Sequence, residues 1–490
     1  MTEPYGNLLN FNLLLWQEYN MSHRIEKDYL GEVKVPKDAY WGVQTQRALE
    51  NFPISGLKPL DIYVKATAMV KRAAAEANMK AGLLEEKKAK AIMKAADEVI
   101  SGKLNQHFVV DVYQAGAGTS HNMNANEVIA NRAIEILGGK RGDYSIVHPN
   151  DDVNMGQSTN DVIPTVIRLS SLLSMKELLD ELEHLASTMH KKALEFDDII
   201  KSGRTHLMDA APIRLGQEFD AWAWEIRRDI ERLKACIPRL SELNIGATAV
   251  GTGLNAHPVY VKEVVKILSR LTGMELKGTS SLPGATQFTT DFSELSSALS
   301  MVAIDLIKIA NDLRLMNSGP ITGLAEIQLP AVQPGSSIMP GKVNPSIPEM
   351  VNMVGFQVLG LNHAIELCSQ AGQLELNVMM PLIAYDILHS IMILKNSSRV
   401  FADKCIEGIK ANRERMEKLV HSSPGVALAL NPYIGYSKAA EVTKKALAEG
   451  KTIKQVVEEE KLLPKHLIEK IFEPHALTEM GIAGGGKAKR

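Results

Sequence analysis

The sequence predicts a mainly helical, all-α fold arranged round a bundle of long helices, and three observations carry that reading. Apolar residues recur at helical spacing over stretches longer than any ordinary strand, dense polar or glycine loops punctuate those stretches, and the composition suits helix. Aromatic residues are only 5% of the chain while there are 21 Met. The accompanying abundance of Leu, Ala, Glu and Lys favours helix, since straight side chains lose little rotamer freedom there. At 490 residues the chain has room for about three domains of ordinary size.

Residues 1–20 stand apart. The apolar run Leu13 to Trp16 lies in a segment interrupted by Asn10 and Asn12 and lacks a basic leader, so it reads as neither signal peptide nor membrane span but as an alternative start or an appended arm. From Met21 the text becomes globular. Residues 21–158 mix short helical patterns, such as Ala66 to Ala96, with Gly- and Pro-bearing loops, and are expected to form an N-terminal domain. Residues 159–410 are expected to be the bundle. Its clearest stripe is Leu295, Leu299, Val302, Leu306, Ile309 and Leu313, with spacings of 4, 3, 4, 3 and 4. Phe219, Trp222, Ile226, Ile230 and Leu233 repeat it, and Val162 to Lys192, Pro348 to Cys368 and Leu382 to Cys405 complete five long helices. Residues 411–490 hold breakers such as Ser422-Ser423-Pro424-Gly425, then short helical stretches, and are expected to form a small third domain with a basic, Gly-rich, mobile end.

Lys and Arg number 55 against 57 Asp and Glu, a formal net charge of −2, which leaves no basic field for nucleic acid or an acidic membrane surface. Cys236, Cys368 and Cys405 are too few and too widely spaced for a disulfide framework or a CxxC metal site, which points to a reducing, cytoplasmic setting.

Four loops are too rich in hydroxyl and amide side chains to be mere turns: Gly116 to Asn122, Gly156 to Asp161, Gly203 to His206, and Gly335 to Pro345. The last is not a phosphate loop, because five residues separate Gly335 from Gly341 and Val343 follows Lys342. Lys342, Asn344 and two hydroxyls between Gly and Pro hinges suggest an anion-binding lid instead. Ser158-Thr159-Asn160 precedes a long helix, and both N-capping and carboxylate binding at a helix N-terminus fit it. The same two readings stay open for Thr119, Ser120 and Asn122. His206, in Gly-Arg-Thr-His, is either a hydrogen-bonded structural histidine or part of a site. Gly246 to Asn255 is glycine-rich without giving GxGxxG, no HExxH occurs, and no Asp/Glu/His cluster has metal-ligand spacing.

Taken together, these loops resemble the aspartase/fumarase superfamily. The segment Gly335-Ser336-Ser337-Ile338-Met339-Pro340-Gly341-Lys342-Val343-Asn344-Pro345 is similar to its signature, and the other three loops match in order and spacing from Arg24 to about Gly481. Arg24 to Glu32, Pro36 to Tyr40, Gly216 to Phe219 and Leu313 to Met316 look more like the aspartase branch, while His148 to Asn154 looks more like class II fumarase. The family usually has Arg at Ile321, Gln at Met208, Ser or Cys at Gly156 and, in aspartases, Glu at Met380. Those departures remove polar groups near the expected site.

The resemblance implies a three-domain fold whose central five-helix bundle joins others into a twenty-helix core in a homotetramer, with active sites shared between subunits. It implies a small dicarboxylate substrate, anti elimination of ammonia to give fumarate, and neither cofactor nor metal. By analogy Ser336 would be the base, with Glu349 orienting His206. Thr119, Ser158, Thr159 and Ser337 would hold the β-carboxylate, Lys342 and Asn344 the α-carboxylate, and Asn160, Thr205 and His206 the amino group. Elimination needs fixed donors that stabilise an enediolate-like carbanion more than the substrate, a task small hydroxyls and amides suit.

Overall fold

The computed structural model describes residues 22–485. The expectations for residues 1–20 and for the last basic residues of the tail lie outside the described residues. The fold is mainly helical, as the periodicity requires, and all five long helices are present: α5 (Thr159–Glu195), α6 (Leu215–Leu240), α8 (Thr290–Met316), α9 (Ser346–Gln370) and α10 (Met380–Phe401). The chain clusters into two compact units. Among the described residues, one holds 22–177 with Leu233–Leu299 and Leu359–Met392, and the other holds Leu178–Arg232, Ser300–Val358 and 393–485.

In the first unit an antiparallel hairpin, β1 (His23–Asp28) with β2 (Gly31–Pro36), leads into α1 (Val43–Asn51), α2 (Asp61–Lys80), α3 (Glu86–Ile100) and α4 (Thr119–Ile136). Val64, Ala68, Ile92, Ala96, Val128 and Ile129 belong to one buried cluster of α2, α3 and α4. Alanine on the facing stripes lets the helix axes approach closely. The long helices are tied laterally by polar bonds: Arg168 of α5 to Asp291 of α8 at 2.7 Å, and Ser293 of α8 to Ser369 of α9 at 2.7 Å. Helix α7 (Pro258–Thr272) follows the glycine-rich loop 246–255.

In the second unit the sequence reading anticipated no strand after α5, yet β3 (Ile200–Thr205) and β4 (Met208–Arg214) form an antiparallel hairpin. Its register shifts between Ser202 and Arg204, and Gly203 sits at that irregularity because a Cβ there would come within 2.5 Å of the Ala211 carbonyl oxygen. The helices also pack tightly here: a Cβ on Gly355 of α9 would lie 2.5 Å from Ile307 of α8. Beyond α11 (Arg413–Ser422), the short helices α12 (Tyr436–Glu449), α13 (Ile453–Glu459) and α14 (Lys465–Ile471) share a cluster of their own, with Leu430, Val442, Val456, Val457, Ile468 and Ile471 at its centre. All three cysteines are buried and none forms a disulfide. Among the described residues no helix is long and apolar enough to cross a membrane.

Candidate active site

Helix α5 begins three residues earlier than the apolar pattern alone predicts, because Ser158 caps it. The Ser158 hydroxyl oxygen accepts from Asn160 N at 3.2 Å, and Asp161 reciprocates by accepting from Ser158 N at 2.9 Å. Asp161 does more than close that box. Its other oxygen accepts from Gly246 N and Thr248 N at 2.9 and 3.0 Å, so the glycine-rich loop left without a role by the sequence is a strap across the helix start. Burial pushes the Asp161 carboxyl up to about 6 even against these amides.

Pro164, inside the second turn, has no N–H for the Asn160 carbonyl, and Asn244 Nδ2 donates to it instead at 3.4 Å. The Asn160 side chain is fixed in turn, donating from Nδ2 to the Ala249 carbonyl at 2.7 Å. That leaves Oδ1, an acceptor, for an ammonium N–H. Thr159 Oγ1 accepts from Asn122 Nδ2 at 3.3 Å, which brings the first turns of α4 and α5 together. Thr119 opens α4 exposed, the N-cap position is Gly118, and the first-turn N–H of His121 donates to Gln114 Oε1 at 2.8 Å, so the capping reading of Thr119, Ser120 and Asn122 does not hold. The hydroxyl of Thr119 stands at a helix N-terminus, where backbone N–H groups favour an anion.

The remaining candidates lie in the second unit. Thr205 pairs with Met208 across the hairpin tip, so His206 and Leu207 form a two-residue turn with φ of 56° and 60°. Both sit in the left-handed region that Gly or Asn ordinarily occupies, a strained arrangement that presents the exposed His206 ring at the tip. A buried ion network holds the strand beneath. Glu326, fully buried, lies 2.8 Å from Arg204 and 3.1 Å from Lys201, and Lys201 also donates to Glu218 at 2.8 Å.

The loop Gly335–Pro345 closes at its neck. Gly335 N donates to the Lys342 carbonyl at 2.8 Å, Asn344 Nδ2 donates to the Gly335 carbonyl at 2.5 Å, and a Cβ at Gly335 would overlap the backbone of Lys342, Val343 and Asn344 across that neck. Within it, Ser336 Oγ accepts from Ile338 N at 3.3 Å and Met339 N at 3.0 Å. Two amides aimed at one hydroxyl oxygen favour negative charge on it. Ser337 and Lys342 are exposed, and the Lys342 ammonium has no hydrogen-bond or ion-pair partner among the described residues. Glu349 lies in the first turn of α9, and no hydrogen bond or ion pair joins it to His206 within the chain.

Lys71, which donates to Asn154 Oδ1 at 2.8 Å, and Glu326 carry no local motif because their partners come from distant segments, and Asn154 lies in the His148–Asn154 segment without a role assigned from sequence. Packing also assembles what spacing concealed, a trio of carboxylates on α6 and α8: Glu225, Asp229 and Asp305, with one oxygen of each within 4.8 Å of the others. Arg232 lies among them, 2.5 Å from Asp229 and 2.9 Å from Glu225, which makes this an ion-paired cluster.

Comparison with known proteins follows the same loops. Residues 31–360 match the family described as Lyase, and residues 427–479 match the one described as Fumarase C C-terminus. An aspartate ammonia-lyase of Bacillus subtilis (strain 168) is 51% identical over 94% of this chain and 97% of its own length. A class II fumarate hydratase of Xylella fastidiosa is 46% identical over 95% of this chain and 98% of its own. Among solved structures, a fumarate lyase:delta crystallin from Brucella melitensis bound to cobalt superposes with a TM-score of 0.90 at 49% identity, covering 92% of this chain and 99% of that one.

Proposed function

This chain belongs to the lyase superfamily of aspartases and class II fumarases, and from that premise we propose that it works as an aspartate ammonia-lyase, a carbon–nitrogen lyase that converts L-aspartate reversibly to fumarate and ammonia. The observation that carries the chemistry is the pair of amides on Ser336 Oγ. A serine is a poor base at its ordinary pKa, and an oxygen already facing two N–H donors is the one best prepared to carry negative charge when substrate closes the loop.

In this reading Ser336 takes a proton from Cβ. The electron pair flows into the β-carboxylate as an enediolate-like species, then returns to form the double bond as the Cα–N bond breaks. Thr119, Ser158, Thr159 and Ser337 hold the β-carboxylate, where charge grows, so their hydrogen bonds strengthen in the transition state. Lys342 and the second Nδ2 hydrogen of Asn344 hold the α-carboxylate. Asn160 Oδ1, Thr205 and His206 receive the amino group, and Glu349 orients His206.

The length of α5 supports sites shared between chains. Thr159 opens this helix, Thr205 follows ten residues after its end, and 37 residues at ~1.5 Å each span about 55 Å. A second chain running antiparallel supplies the opposite helix end to the same substrate. Exposed apolar residues on the long helices, among them Trp224, Met301, Ile304, Met353 and Phe356, suit burial against further copies, which supports the homotetramer that the family resemblance implies. The test mixes inactive Ser336→Ala with an inactive Thr205→Ala/His206→Ala variant. If the two defects fall on different chains, equal mixing restores about a quarter of sites. Verified mixed oligomers with no activity would sink the shared site.

Class II fumarate hydratase is the second reading, favoured by the His148–Asn154 segment and by the 46% identical hydratase. A non-catalytic role is opposed by the intact Ser336, Lys342 and Asn344. Absorbance of fumarate formed from L-aspartate and, separately, from L-malate decides between the reactions: turnover of malate alone overturns the ammonia-lyase reading.

A further inference from the structure

Beneath the start of α5 lies a buried lysine that the mechanism above does not use. Lys71 of α2 is fully buried and has no carboxylate within hydrogen-bond reach. Its ammonium donates to Asn154 Oδ1 at 2.8 Å and to Gln157 Oε1 at 3.0 Å. Burying an ammonium against amides alone is costly, so its presence calls for a reason beyond packing.

We infer that Lys71 is a positioning residue that fixes the hydrogen-bond polarity of the chain Lys71–Asn154–Asn122–Thr159 and thereby turns the Thr159 hydroxyl into a donor toward the substrate carboxylate.

An ammonium has three N–H donors and no acceptor, so whatever faces it must accept. That requirement sets the Asn154 amide with Oδ1 toward Lys71. The same oxygen accepts from Asn122 Nδ2 at 3.3 Å and from Asn126 Nδ2 at 3.2 Å, and both of those asparagines are buried. Asn122 is therefore obliged to present its NH₂ group, and the NH₂ also donates to Thr159 Oγ1 at 3.3 Å. With a lone pair of Thr159 Oγ1 occupied by that donor, its own proton is left to point outward. The far sides of the amides agree with this order: Asn154 Nδ2 donates to the Gln157 carbonyl, and Gln157 Nε2 donates to the carbonyls of Val153 and Met155. Without Lys71 only those backbone carbonyls oppose a turnover of the Asn154 and Gln157 amides, and a turned Asn154 would reverse Asn122, leave Thr159 Oγ1 facing an acceptor and spend its proton inward.

The inference rests on the proposed function only in taking Thr159 to face a carboxylate. Its test is a double-mutant cycle on the intact oligomer, read as fumarate binding by calorimetry at pH 6, where the lysine keeps its proton, and it needs no turnover. Lys71→Met and Thr159→Val should each weaken fumarate binding by about tenfold, the scale of one hydrogen bond to a charged group. The double variant should be no weaker than either single one, because both remove the same donor. Lys71→Gln, which keeps a donor, should bind within about threefold of wild type. Additive losses in the double variant, wild-type binding by Lys71→Met, or a loss in Lys71→Gln equal to that in Lys71→Met would each overturn the inference. If Lys71→Met fails to fold, the cycle of Asn122→Ala with Thr159→Val decides together with Lys71→Gln: non-additive losses support the chain and additive ones overturn it. Wild-type protein that binds fumarate but leaves aspartate unchanged would defeat the reaction assignment and not this one; failure to bind fumarate would defeat both.

Discussion

Asp161 and Ser336 mark two segments of the candidate site that are held in opposite ways. Asp161 is fully buried and accepts amide N–H groups from Ser158, Gly246 and Thr248, so the start of α5 is tied to a loop more than 80 residues away in sequence. Ser336 is half-buried and bonded only to amides of its own loop, and the Lys342 ammonium nearby has no partner among the described residues. The first segment is set before substrate arrives, whereas the second has little to hold it except its neck and is free to close on a ligand. Substitutions on the loop should therefore change activity without changing stability, and substitutions at the helix start should change both.

The largest effect is expected of Ser336→Ala. It should lower kcat by about three orders of magnitude or more while fumarate binding stays near wild type, the pattern of a group needed only in the transition state. A wild-type rate in the purified variant would remove Ser336 as base. Lys342→Met comes next, with kcat/KM down about a hundredfold, much of it in KM, since a cation facing a carboxylate acts in ground state and transition state alike. Its Tm should stay within about 1 °C of wild type, because no contact within the chain is lost. A large stability loss with normal KM would reverse the contrast between the two segments.

Asp161→Ala should separate them from the other side. It orphans two buried amides, of Gly246 and Thr248, and the half-buried one of Ser158, at a cost of about 3 kcal/mol, so the melting temperature and the activity should fall together. Normal melting with normal activity would show that the strap is idle.

The smallest expected effect is a pH dependence of stability. Burial pushes Lys71 down to about 7 from its ordinary 10.5. Between those values the unfolded chain binds more protons than the folded one, so this group makes stability rise as pH increases from about 7 toward 10. Asp161, raised from 3.8 to about 6, acts in another window: there the folded state binds more protons, and stability falls as pH rises from about 4 to 6. Thermal melts from pH 4 to 10 should show both slopes in wild type, and Lys71→Met should lose the upper one. An unchanged upper slope in that variant would assign it to other groups.

The long helices were legible because their apolar stripes are local and periodic. The start of α5 was misplaced by three residues because the Ser158–Asp161 box, not the stripe, sets it. The β3–β4 hairpin was missed for a related reason: its turn is built from His206 and Leu207, neither of which signals positive φ. The loop segments announced themselves through hydroxyls and glycines. What supports them did not, since Lys71 and Asn154 are 83 residues apart and Glu326 reaches back more than 100 residues to Lys201 and Arg204. Long-range polar pairing leaves no period in a sequence.

The three buried thiols give the molecule an internal clock. All three side chains are buried, and burial pushes Cys236 up to about 11 and Cys405 up to about 12 and raises Cys368 as well, which disfavours the thiolate at each in the folded chain. Alkylation at neutral pH should therefore be slow until the surrounding structure opens. Cys236 and Cys368 time the first unit and Cys405 times the second, with the residue modified, read by mass, identifying which one breathed.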